Sequence, residues 1–132
     1  MTKLDPMPTE LRSFMERYPG TDSMELLIAD LPGVLRGKRI RASEFAKVFR
    51  EGFYLPGGTV LMNTLGDTIT GMAWSADDGD PDILAKIVEG SLVSVPWAKK
   101  PSAQALFRFY LQNGTPFFAD PRFVLEKAMK PL

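Results

Sequence analysis

The chain has 132 residues, 45% hydrophobic and 24% charged, which is enough apolar material for one packed domain and too much for a disordered tail. Sixteen basic residues balance sixteen acidic ones, so no positive surplus exists to neutralise phosphates, and a general nucleic-acid binder is disfavoured. Histidine and cysteine are both absent. That removes the commonest general base, thiolate nucleophiles, disulfides and the Ser/His/Asp and Cys/His constellations, and leaves only hard, all-oxygen sites for a metal.

Met1 to Glu10 carries three charges and two prolines in place of the apolar core of a signal peptide. No run approaches the roughly 20 apolar residues of a membrane span, so the expected location is the cytoplasm. Leu11, Phe14, Met15 and Tyr18 recur at helical spacing, which predicts a helix over Pro8 to Tyr18, stopped by Pro19-Gly20. Ser23 to Leu31 is rich in large apolar residues and reads as a strand buried on both faces. Pro32-Gly33 is a turn signal, and Val34 to Arg41 returns as the second strand of a hairpin. Ser43 reads as an N-cap for a helix that buries Phe45, Val48 and Phe49 and ends at Gly52.

After Pro56-Gly57-Gly58, the pattern predicts strands over Thr59 to Thr64 and Thr68 to Trp74, joined across Gly66. Ala76 to Asp82 reads as an acidic loop and Ser91 to Val95 as a short strand. Ala103 to Gln112 alternates strictly, with Ala105, Phe107, Phe109 and Leu111 on one face. Asn113-Gly114 signals a hairpin that pairs Thr115 to Ala119 back. Asp120 is a good N-cap and Pro121 suits the first position of a closing helix. This order of hairpin, helix and further strands predicts an α+β fold of β-grasp type, a mixed sheet partly wrapping a helix.

Three stretches invite a chemical reading. From Asp78, carboxylates fall at the first, third, fifth and twelfth positions of a calcium-binding loop, but the sixth position, which favours φ > 0, holds β-branched Ile83. A solvated turn is the better reading. Arg36, Lys38, Arg39 and Arg41 crowd one strand. Alternation puts Arg36 and Lys38 on one face as candidate anion or interface contacts, although a solvated, edge-protecting strand is the commoner use of such a run. Pro56-Gly57-Gly58-Thr59 offers backbone amides unobstructed by Cβ atoms, but lacks the Lys-Ser/Thr of a P-loop.

Taken together, the motifs resemble one family. Asp30 followed by Leu31-Pro32-Gly33-Val34-Leu35-Arg36-Gly37-Lys38-Arg39-Ile40 is similar to the D-x-x-G-x-x-R-G-K-R hairpin of glutamine synthetase-like proteins. Gly79-Asp80-Pro81-Asp82, Gly90-Ser91-Leu92, Pro96-Trp97, Asn113-Gly114-Thr115-Pro116 and Asp120-Pro121-Arg122 follow in that family's order. Glu16-Arg17-Tyr18-Pro19 resembles the γ-glutamylpolyamine synthetase branch, from which Arg41 departs by standing where that branch usually has proline. The resemblance implies the family's N-terminal β-grasp domain: a helical extension over 1–22, the β-grasp domain over 23–119, and over 120–132 the start of a junction to a catalytic domain.

On this resemblance the whole protein would use ATP with Mg or Mn to join glutamate to an amine or ammonia. The metal, ATP and glutamate sites would lie in the catalytic domain, leaving this chain without activity alone. Its partners would be that domain and neighbouring identical subunits, one of whose active sites it would close. Pro56, Gly57, Gly58, Thr59 and Asn63 would form the substrate-adjacent loop, with Pro56 where ammonia-using members carry an aspartate that helps hold ammonium. The rival expectation is a free-standing β-grasp interaction module; ending inside a freshly capped helix argues against it.

Overall fold

The computed structural model describes residues 7–71 and 79–131. Helix α1 (Thr9–Arg17) leads into strands β1 (Ser23–Ala29) and β2 (Leu35–Arg41), then α2 (Ala42–Glu51). Strand β3 (Phe53–Pro56) runs into a single 3-10 turn, Gly57–Val60. Strands β4 (Asp82–Ile87), β5 (Val93–Ser94) and β6 (Ser102–Tyr110) follow, and α3 (Pro121–Met129) comes last.

The sheet runs β2-β1-β6-β4-β3, with β5 pairing beside β4 on the flank of β6. β1 and β6 lie parallel at its centre and every other pairing is antiparallel. This is the mixed sheet of an α+β β-grasp fold. The β1–β2 hairpin is as the sequence predicts, with Gly33 at φ +86 in the turn. Gly37 is required for a different reason. A Cβ there would overlap the carbonyl oxygen of Leu26 on β1, so the two backbones approach too closely for any side chain.

β6 organises the core. Ala103, Ala105, Phe107 and Phe109 face inward at 1% exposure or less, as the alternation predicts. Phe53, Phe107, Phe109 and Phe117 form a chain of edge-to-face contacts with centroids 4.9, 5.5 and 6.1 Å apart. α2 lays Phe45 and Val48 onto this face, with Phe49 partly buried beside them. α1 adds Leu11 and Phe14. Its Glu10 carboxylate also accepts from the amides of Gly90 (2.9 Å) and Leu92 (3.1 Å), tying the chain start to the turn before β5.

Several expectations are corrected. β1 is not buried on both faces: Met24, Leu26 and Ile28 are buried while Ser23, Glu25 and Leu27 are half covered, because the face opposite α2 has little packed on it. The cap of α2 is Arg41, two residues before the expected Ser43. The Arg41 amide donates to Glu44 (3.3 Å), and the Ala42 amide is already satisfied by the Asp22 carbonyl (3.0 Å). Thr59 to Thr64 is not a strand. Its start curls into the 3-10 turn, and among the described residues only an isolated bridge, Met62 with Thr68, is seen of the expected pairing. Met72 to Trp74 of the second expected strand, and Ala76 to Asp78 of the acidic loop, lie outside the described residues. β3 and β4 occupy stretches where the pattern indicated a loop or no element. Ile83, the misfit of the calcium-loop reading, is a core residue of β4 at 4% exposure.

Candidate functional site

The chemically richest corner of the described structure forms where the β1–β2 turn meets the segment after β3. Asp30, at the end of β1, is 2% exposed. Its backbone closes the turn, with the Asp30 amide donating to the Val34 carbonyl and the Gly33 amide donating to the Asp30 carbonyl, both at 3.0 Å. Its carboxylate has two further donors: the Val34 amide to Oδ1 (2.8 Å) and Arg36 Nε to Oδ2 (2.6 Å). A buried charge persists only when paired and hydrogen-bonded in this way.

The register explains why Arg36 is available. Arg36 stands opposite Ile28 and Lys38 opposite Leu26, and directly opposed residues project to the same face. Both cations therefore lie on the side of the sheet that carries the core, at its edge. Their fates differ. Arg36 is not the solvated edge residue that the crowded charge suggested. Besides Asp30 it donates through Nη2 to the Asn63 carbonyl (2.9 Å), and its side chain is 18% exposed. Lys38 is exposed, with its ammonium 5.2 Å above the Phe53 ring. Arg39, on the opposite face, reaches Glu25 at 3.4 Å in solvent, a pair worth little.

The predicted substrate-adjacent loop sits beside this latch. Pro56 ends β3, a position open to proline because β3 is a sheet edge. Thr59 Oγ1 donates to the Pro56 carbonyl (2.7 Å). Gly57 and Gly58 are buried, and their amides are already engaged by the Pro81 carbonyl (3.2 Å) and by Asp80 Oδ1 (3.0 Å). Asn63 organises the turn beyond them. Its Oδ1 accepts from the amides of Leu65 (2.9 Å) and Asp67 (3.0 Å), and its own amide donates to the Asp67 carbonyl (3.0 Å). The resulting tight turn holds Leu65 out in solvent at 85% exposure.

Sequence reasoning names Arg36, with Lys38, and the loop of Pro56 to Thr59 and Asn63 separately; the structure brings Arg36 and the loop to one corner. Sequence reasoning misses Asp30 as the keystone and Asp80 as the carboxylate delivered to Gly58. The signal for Asp80 was its place between Gly79 and Pro81; in the structure it takes φ +42, which is uncommon for a non-glycine residue. Beyond its bond to Gly58, Asp80 has no second hydrogen-bond partner among the described residues. Among the described residues no three carboxylates gather where they could hold a metal ion. What the arrangement can do is shape and bind.

Comparison with family models finds no match. Individual proteins do match. The γ-glutamylputrescine synthetase PuuA of Escherichia coli is 34% identical over 125 residues, covering 93% of this chain and 26% of its own length. A glutamate–isopropylamine ligase from Pseudomonas sp. is 31% identical over 125 residues, with 92% and 26% covered. The glutamine synthetase of Pyrococcus abyssi is 25% identical over 124 residues, with 94% and 24% covered. Thus the chain spans about a quarter of the length of the curated relatives it matches. Among solved structures, GmaS in complex with ADP superposes with a TM-score of 0.67 at 27% identity, covering 92% of this chain and 25% of that one. A novel glutamine synthase homologue shares the fold at a TM-score of 0.69 and 16% identity, covering 96% and 27%. With that fold, that run of relatives and the RGKR hairpin in place, the chain belongs to the glutamine synthetase family and corresponds to its N-terminal β-grasp domain.

Proposed function

We propose that this domain is part of an ATP-dependent ligase that joins the γ-carboxyl of glutamate to an organic amine, with a polyamine as the favoured class over ammonia. The loop from Pro56 to Asn63 stands on the amine side of the active site of a neighbouring identical subunit. The ATP and the Mg or Mn ions belong to the catalytic domain, and the enzyme works in the cytoplasm. Arg36 and Lys38 serve the loop and the subunit boundary rather than the reacting atoms.

The single observation that carries the amine preference is Pro56. It stands where ammonia-using members carry an aspartate, and it has neither charge nor N–H with which to hold a small cation. The names of two relatives above 30% identity, a γ-glutamylputrescine synthetase and a glutamate–isopropylamine ligase, support the same direction. Asp80 is the carboxylate bonded to the loop backbone, and it is the group to serve the charged end of a longer amine. The test is kcat/KM of the full-length protein for ammonium against putrescine and other amines. Amines are expected to win, and Pro56→Asp to shift the balance towards ammonium. A clear preference of the unsubstituted enzyme for ammonium overturns the reading. The 132-residue chain alone, given ATP, magnesium, glutamate and amines, is expected to release no phosphate.

A further inference from the structure

The hairpin and the loop are separate in sequence by 27 residues, yet one side chain binds both. The Arg36 guanidinium is a rigid plane. One of its nitrogens is held by the buried Asp30 carboxylate and another holds the Asn63 carbonyl, so the distance between sheet and loop is set by a group that cannot flex. The same Asn63 carbonyl accepts the Gly66 amide (3.0 Å), so the latch grips the closing bond of the turn itself. A second tie, the Leu31 amide to the Val60 carbonyl (3.3 Å), is longer and involves no charge. On the loop side Gly66 is at φ +87, and a Cβ there would stand 3.4 Å from Arg36 Nη1, against the guanidinium.

We propose that Arg36 is a positioning residue: anchored by Asp30, it fixes the turn from Asn63 to Asp67 and thereby sets how tightly the amine is held. This rests on reading Pro56 to Asn63 as the amine-side loop. Arg36 touches no reacting atom. Its effect reaches the amine through the loop backbone, and displacing a positioning element by about 1 Å costs on the order of a hundredfold in the reaction it serves.

Two readouts separate the latch from the reaction. The first is amide hydrogen exchange at Asn63 and Asp67 in the chain itself, comparing Arg36→Lys and Gly66→Ala with the unsubstituted protein. Arg36→Lys keeps a cation beside Asp30 but loses the two-ended fork, and Gly66→Ala keeps the Asp30–Arg36 pair intact. Faster exchange in both is expected; unchanged exchange in both overturns the latch. The second is steady-state kinetics of the full-length ligase. Both variants are expected to raise KM for the amine by about tenfold or more while kcat at saturating amine and KM for glutamate stay within about twofold. Faster exchange with an unchanged amine KM, or a loss confined to kcat, overturns the role in amine handling. If the unsubstituted full-length protein turns over no amine, the proposed function fails, and the exchange data alone decide the latch.

Discussion

Helices α2 and α3 flank the same sheet on opposite faces, are 10 and 9 residues long, and are held by different forces. α2 buries Phe45 and Val48 against β4, β2 and β1 and is capped at Gly52, where a Cβ would overlap the Ala85 carbonyl oxygen. Each such side chain contributes about 1.5–3 kcal/mol by leaving water. α3 buries no residue at all. It is held by polar contacts. Fully buried Asp120 accepts from the amides of Phe109 (3.0 Å) on β6 and Arg122 (2.9 Å) in the helix. Arg108, on the outer face of β6, grips Glu126 with two bonds of 2.9 and 2.8 Å. Beneath the helix a cleft of about 290 Å³, lined by Leu27, Leu35, Leu106 and Leu125, stays open. Apolar burial holds an element in place. Polar anchors hold α3, while its Val124, Leu125 and Met129 remain more than half exposed.

The comparison is broken most sharply at Phe45. Phe45→Ala removes the centre of the α2 contact and is expected to cost about 3–5 kcal/mol, read as a lower urea midpoint with an unchanged slope. A loss below about 1 kcal/mol would mean that α2 is not held by burial. Next is Asp120→Ala. It strips the cap and leaves the Phe109 amide buried without a partner, an expected cost of about 2 kcal/mol, with amide exchange accelerated through α3 before the rest of the domain. An α3 that stays protected would show that Asp120 does not hold it.

Glu126→Gln is smaller. Glu126 is 43% exposed, so solvent screens the pair, and removing its charge is expected to cost about 0.5–1 kcal/mol and to loosen α3 alone. A double-mutant cycle with Arg108→Met measures the coupling and separates it from the burial of the Arg108 stem. The smallest effect on stability belongs to Leu125→Glu, within about 0.5 kcal/mol because the side chain is 58% exposed. Its expected consequence is on association. The chain should self-associate at high concentration in light scattering through the uncovered face of α3, and Leu125→Glu should reduce this. A strict monomer before substitution would show that this face does not act as a contact surface.

The same contrast divides what was legible in the sequence. The capped start of α3 was readable to the residue, because Asp120 and Pro121 act on amides within one turn. The clamp on Glu126 was not, because Arg108 lies 18 residues away on a strand whose neighbours no local pattern names. Arg36 repeats the lesson. Alternation placed it correctly with Lys38, but its burial depends on Asn63, which reaches it only after β3 and the 3-10 turn have folded back. Read from composition, that strand was a row of solvated charges.

Most turn and cap chemistry was the sequence's own to decide; the cap of α2 was not, since it stands at Arg41 where the Ala42 amide meets the Asp22 carbonyl. Pro32-Gly33, Gly52, Asn113-Gly114 and Asp120-Pro121 each work through φ preferences or hydrogen bonds spanning a few residues, and so did the period-2 pattern that made β6 the core strand. The tertiary structure decided which β-prone stretches became strands. Thr59 to Thr64 has the composition of one, but the amides of Gly57 and Gly58 just before it are bound by Pro81 and Asp80, and the segment curls into the 3-10 turn in place of a ladder. Phe53–Pro56 contains a proline and became a strand because β4 arrived at the sheet edge to pair with it. A strand needs a partner for its backbone groups, and where that partner comes from is settled only when distant parts of the chain meet.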